Sequence, residues 1–197
     1  LNKLNHKSAN EQGSSLIELM AVVLIIAIMT VMTMPMLQEQ MAAREIDMLA
    51  RRFIAHAQFA RGQALQLGMA VHITPSGSAD GADWADWADW EDGWVVKNAC
   101  PPIQSKANCA ERVWFAQSAI APIYFKGGGK QFMDPHSNKR GITFNAAGAA
   151  KTAQGGFVAN RLILGHERDS RLERQLILSS GGRWRVCDPQ RDSKACR

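Results

Sequence analysis

Hydrophobic and polar positions are very unevenly distributed along this chain. Residues 1–13, LNKLNHKSANEQG, are polar and carry Lys3 and Lys7. Residues 16–34 then run for 19 positions with a single charge, Glu18, and two threonines. At about 1.5 Å per residue, that run makes roughly 28 Å of helix, the thickness of one bilayer core. Beyond Pro35 the pattern becomes amphipathic. Ile46, Leu49, Phe53, Ala57, Ala60, Ala64 and Leu67 recur at steps of three and four, one helical stripe, while Arg44, Asp47, Arg51, Arg52 and Arg61 lie off it. Gly68 is placed to cap this helix at its C-terminus.

From Met69 onward the apolar runs shorten to strand length, at 69–74, 94–97, 112–116, 122–125, 142–145, 156–159, 161–165, 175–179 and 184–187. Gly, Pro, Asn and Ser clusters separate them. One long helix followed by short strands predicts an α+β fold, with a β-sandwich-like head packed on the amphipathic half of the helix. The chain divides into a leader at 1–13, an apolar helix at 14–35, an amphipathic helix at 36–68 and a β-rich head at 69–197.

Composition narrows the class. The chain has 197 residues, 46% apolar, enough for one ordinary domain and too many apolar residues for a disordered chain. Its mean hydropathy of −0.19 excludes a multi-span membrane protein, so the apolar block is a single anchor. It is too long for the hydrophobic region of a secretory signal. Lys3 and Lys7 place the N-terminus in the cytoplasm and the head outside. A carboxylate inside such a helix is costly and marks function. Glu18 either reaches the interface from near the helix end or pairs with a cation of another subunit.

Gly13, the hydrophobic start after it, Glu18 five residues on and Pro35 at the end of the apolar run resemble the class III signal of type IV pilins and type II secretion pseudopilins. The resemblance implies that a prepilin peptidase cuts between Gly13 and Ser14 and methylates the new N-terminus. It further implies a mature chain of 184 residues, in which Glu18 pairs with the N-terminal amine of a neighbouring subunit. Ser14 stands where the family usually has Phe. Pro35 removes a backbone donor and is expected to kink or loosen the helix. The stretch Phe59-Ala60-Arg61 with Ala64 is similar to the L-x-x-A-R-x-x-A segment of the GspH/FimT family. GITFNAAG at 141–148, GGF at 155–157 and LILSSGGRWRV at 176–186 resemble its head.

The middle holds GADWADWADWEDGW at 81–94, with Ala-Asp-Trp three times in tandem from Ala82 to Trp90. A period of three matches neither helix nor strand faces. The aspartates lack calcium-loop spacing and a closing Glu. An exposed loop is expected, whose tryptophans either extend it or form a contact patch.

Four cysteines, Cys100, Cys109, Cys187 and Cys196, allow three connectivities. Outside the cytoplasm, disulfides are expected. The near-neighbour set, Cys100–Cys109 and Cys187–Cys196, closes two short loops. Zinc is disfavoured by the absence of a C-x-x-C pair.

The formal charge is +5, and its placement matters more than its size. From Gly181 onward five basic residues, Arg183, Arg185, Arg191, Lys194 and Arg197, face two acidic ones, Asp188 and Asp192, a local excess of three. In a strand Arg183 and Arg185 share one face and Trp184 takes the other. Two guanidiniums on one face can hold adjacent phosphates, with Gly182 allowing close backbone approach. A Cys187–Cys196 loop would fold Arg191 and Lys194 toward that face. Gly182-Arg183-Trp184-Arg185 is similar to the G-R-x-R motif of the FimT branch, whose members bind DNA during natural transformation. A second basic run, Arg168, Arg171 and Arg174, is interleaved with Asp169 and Glu173 and reads as a solvated hairpin turn.

No catalytic constellation is present. GGGK at 127–130 is followed by Gln131 and lacks phosphate-loop spacing, and the five histidines have no ligand-like spacing. Neither an enzyme, nor a metal, nor a cofactor is expected. The expected function is that of a minor pilin of a type IV pilus that binds extracellular double-stranded DNA without sequence preference for uptake. The alternatives are a structural minor pilin priming assembly and a minor pseudopilin of a type II secretion system. The implied partners are other pilins, the prepilin peptidase, DNA and the inner membrane. The implied location is the inner membrane with a periplasmic head, then the filament.

Overall fold

The computed structural model describes residues 15–76, 90–98, 112–127, 141–151, 160–179, 181–194 and 196. Gly13, Ser14, Trp84, Trp87, Cys100, Cys109 and the expected strand at 156–159 lie outside them. The chain divides into two units, Leu1–Gln40 and Met41–Arg197.

A single helix, α1, is assigned from Leu16 to Leu67, with Pro35 inside it. The apolar run therefore does not end the helix at the proline. Thr30 and Thr33 turn their hydroxyls back onto the carbonyls of Ile26 and Met29, at 2.7 and 3.1 Å. That is how an apolar helix carries hydroxyls without leaving them unsatisfied. In the first unit the described side chains, Glu18 included, are exposed, and the helix is long and apolar enough to cross a membrane. Gly68, at φ 62°, ends it.

In the second unit the predicted stripe is the buried face as far as Ala64: Ile46, Leu49, Phe53, Ala57, Ala60 and Ala64 are all core residues, while Leu67, its last expected member, is exposed in the final turn. Alanine at three successive contact positions lets the sheets lie close to the helix. The strands are β1 (Val71–Pro75), β2 (Trp94–Asn98), β3 (Val113–Gln117), β4 (Ile123–Gly127), β5 (Ile142–Phe144), β6 (Ala150–Lys151), β7 (Asn160–His166), β8 (Asp169–Leu178) and β9 (Trp184–Cys187). They form two antiparallel sheets, ordered β3-β2-β1-β5-β6 and β4-β7-β8-β9. Both sheets and the helix stripe share one apolar core, so the fold is α+β.

Phe53 is the hub of that core. Its ring meets Trp94 at 5.0 Å, Trp184 at 5.4 Å, Trp90 at 5.8 Å and Phe125 at 6.4 Å, all edge to face. This geometry sets the positive ring edge against the negative face and adds to the gain from burial. Trp90 corrects the expectation of an exposed tryptophan loop. The third tryptophan of the tandem repeat is 1% exposed. Burying an indole against the rings of Phe53 and Phe125 outweighs the polar character of the segment that carries it. The short link to β2 passes through Gly93, at φ 98°, where a Cβ would lie 1.9 Å from the carbonyl oxygen of Gln117. Only glycine lets the chain turn there from Trp90 into the strand.

The second basic run is also corrected. The turn occupies only 167–168, and Arg171 and Arg174 belong to β8, which starts six residues earlier than its apolar pattern indicated. Arg174 is 5% exposed. Its Nε is 2.6 Å from Asp47 of α1 and its Nη1 is 3.0 Å from Asp188 beyond β9. An arginine can lie in a core when carboxylates meet its fork. The two-residue β6 has no pattern long enough to be read from sequence.

Candidate nucleic-acid interface

The β8–β9 hairpin closes through a short turn. Gly182 N donates to Ser179 O at 2.9 Å, Ser179 N to Arg183 O at 2.9 Å, and Arg183 N to the Ser179 hydroxyl at 3.2 Å. Gly182 has φ 76°, and a Cβ on it would lie 2.9 Å from Gly148 O and 3.2 Å from Arg61 Nε. Arg61 of the helix itself donates to Gly148 O at 2.8 Å. Three segments thus converge under the hairpin tip, and glycine is required by both conformation and space. Arg61 is thereby spent on positioning the turn rather than on the surface.

Side chains alternate from there. Trp184 points inward onto Phe53, while Arg183 and Arg185 are exposed on the other side. The buried indole fixes the strand, so the two guanidiniums project from a rigid element. Cross-strand register extends this face. Arg185 pairs with Ile177 of β8, and Ile177 pairs with Arg161 of β7. Paired residues share a face, so Arg161 and Arg185 stand in one row two strands apart, about 10 Å at ordinary strand spacing. Sequence reading missed Arg161. The alternation in Arg-Leu-Ile-Leu at 161–164 puts it opposite the core residues, but nothing local says which residue lies across the sheet.

The tail folds over the same face. Cys187 and Cys196 are joined by a disulfide, with their Cα atoms 5.5 Å apart. Arg161 Nη1 donates to Cys196 O at 3.4 Å and to Gln175 Oε1 at 3.2 Å. Gln175 and Cys187 lie on this outer face yet are buried, Gln175 bonded to Arg161 and Glu173 and Cys187 to Cys196. Asp188 starts the tail as an anchor: its Oδ1 accepts from Gln190 N at 2.9 Å and its Oδ2 meets Arg174. Gln190 Nε2 reaches Arg171 O. Arg191 and Lys194 are exposed on the loop, and Arg191 Nε lies 3.6 Å from Asp188.

Several other charges of the sheet are paired with one another. Arg171 is bonded to Asp169 at 3.0 Å through two nitrogens, and those hydrogen bonds hold the Asp169 carboxyl below its ordinary range. Lys126 lies 3.3 Å from Glu173. The Asp188 charge is met from the inner side by Arg174. Arg161, Arg183, Arg185, Arg191 and Lys194 stand on this outer side, with Asp188 beside Arg191 and Glu173 bonded to Gln175, an excess of cations suited to phosphate oxygens. Glu18 belongs to the other unit, Leu1–Gln40.

The described histidines are structural. His56 Nδ1 accepts from Trp94 Nε1 at 3.0 Å, and its ring stacks on Phe115 at 4.6 Å. Burial, then the Arg52 charge, pushes its pKa below the ordinary value. His72 Nδ1 contacts the Thr143 hydroxyl at 2.9 Å, and buried His166 contacts Glu45 at 3.3 Å.

Comparison with known proteins adds the family. The family model described as Type II transport protein GspH matches residues 49–182. No curated protein matches the sequence. Among solved structures, two crystal forms of the type IV minor pilin FimU of Pseudomonas aeruginosa are similar to this chain, both at 17% identity. One has a TM-score of 0.48 and covers 73% of this chain and 89% of that one. The other has a TM-score of 0.44 and covers 70% and 89%. The match runs from Leu49 of the helix through β1–β8 to Gly182, stopping short of β9, and on it this chain belongs to the GspH family.

Proposed function

We propose that this protein is a minor pilin that binds double-stranded DNA through the outer face of its second sheet, without reading sequence, for uptake in natural transformation. The observation that carries this reading is the exposure of Arg183 and Arg185 on a hairpin fixed by Trp184, with Arg161 in the same cross-strand row. Guanidiniums on rigid strands can fork onto phosphate oxygens, contacts that position a protein on a duplex and carry no sequence information. In the same reading, a prepilin peptidase cuts after Gly13 and methylates the new N-terminus. The apolar half of α1 then anchors the protein in the inner membrane until Glu18 joins the amine of a neighbouring pilin in the filament.

A mobility-shift assay tests it, using the full chain in detergent and mixed-sequence duplex. At low salt the wild type retards the duplex and Arg183→Ala/Arg185→Ala does not. Absence of retardation by the wild type, or equal retardation by both, overturns DNA binding.

The family's description as a type II transport protein favours a second reading as a minor pseudopilin whose ligand is another protein. Deletion then abolishes protein secretion and leaves transformation intact. The reverse outcome eliminates this reading.

A further inference from the structure

The tail that completes the basic face is attached near both of its ends. At its start it is held by Asp188 on Arg174 and by Gln190 on Arg171 O. At its far end the described attachments are the Cys187–Cys196 bond and the hydrogen bond from Arg161 to Cys196 O. Arg191 and Lys194 lie between these anchors and are exposed. Arg161 is thus both a cation of the face and the strand residue on which the closed tail rests.

We propose that this face is an oxidation-dependent phosphate site, in which Arg161 is a third strand-borne arginine and the Cys187–Cys196 bond holds Arg191 and Lys194 beside it. The proposal rests on the DNA reading above and specifies how that site is assembled and regulated. With the bond closed, five cations from two strands and the tail act together. A dithiol such as dithiothreitol supplies two electrons and two protons, leaves as its cyclic disulfide, and converts the bridge into two thiols. The far end of the tail is then free to leave Arg161. Arg161 and Arg185 stay on their strands and Arg183 in the hairpin turn, while Arg191 and Lys194 lose their fixed place. The site is therefore complete where disulfides persist and incomplete where thiols are kept reduced.

Salt dependence of binding by the full chain in detergent, read by anisotropy of a labelled duplex, tests this. Each lost phosphate contact lowers the slope of log K against log salt by about 0.9, or roughly eightfold in affinity at 0.1 M salt. Reduction is expected to lower the slope by one to two contacts' worth, and Arg161→Ala by about one contact's worth. Cys187→Ser/Cys196→Ser separates this bond from the other two cysteines: it should bind like the reduced wild type and ignore the dithiol. Should that variant melt early by circular dichroism, oxidised Arg191→Ala/Lys194→Ala decides. It should show the reduced slope and no further response to reduction. Unchanged slopes on reduction, or wild-type binding by Arg161→Ala, overturn the proposal and leave DNA binding standing. An oxidised wild type that binds no duplex at low salt overturns the underlying reading and this one with it.

Discussion

Phe53 sets the sharpest test of how this fold is held together. It is fully buried and its ring touches the edges or faces of Trp90, Trp94, Phe125 and Trp184. Those neighbours come from the tandem repeat, both sheets and the arginine-bearing hairpin. Phe53→Ala removes the ring from a site that four other large groups cannot all move to fill. The transfer and cavity terms together predict a loss of about 3–5 kcal/mol. Each aromatic pair adds about 0.5–1.5 kcal/mol in isolation, but pairs sharing one ring do not add, so the upper half of that range is expected. Against a typical total of about 5–15 kcal/mol this is a large fraction. For a unit of this size it lowers Tm by roughly 10 °C or more. Urea unfolding of the Met41–Arg197 unit, followed by tryptophan fluorescence, measures it. Met48→Ala, at a position 60% exposed on the same helix, is the control and should stay within about 0.5 kcal/mol. A loss below about 1 kcal/mol for Phe53→Ala would refute the assignment of Phe53 as the hub.

Two other perturbations probe the polar parts of the core. The pKa of His56 is pushed below its ordinary 6.5 by burial and then by Arg52, so the unfolded chain takes up the proton first as pH falls. Stability therefore rises with pH across the window beneath 6.5 and is lost progressively on acidification through it. His56→Gln should flatten the urea midpoint over that window, and a wild-type slope in the variant would sink the idea. Arg174→Met strips the cation from between Asp47 and Asp188 and should cost about 1–3 kcal/mol. That is below the cost for a fully buried pair, because Asp47 is 43% exposed and can rehydrate. Unchanged or increased stability in the same urea measurement would show that the pair does not hold the helix to the second sheet.

The helix and its buried stripe were legible in the sequence because they depend on near neighbours. A run of apolar residues with bonded threonines and an amphipathic step of three and four need only local geometry to become one helix. The cap at Gly68 and the alternation of Arg183, Trp184 and Arg185 were legible for the same reason: positive φ and strand pleat are properties of a few consecutive residues. The tertiary structure alone decided what depends on partners far along the chain. Trp90 is polar in its sequence surroundings and buried in space, because the cavity that receives it is built by Phe53 and Phe125. Arg174 reads as part of an exposed basic run until Asp47, 127 residues away, meets it. Arg161 joins the candidate site only through the register that carries Arg185 across Ile177. A sequence states which side of its own strand a residue takes. Which residues then stand beside it is settled by strand pairing and by competition for the core, and those are energies of the whole fold rather than of any segment.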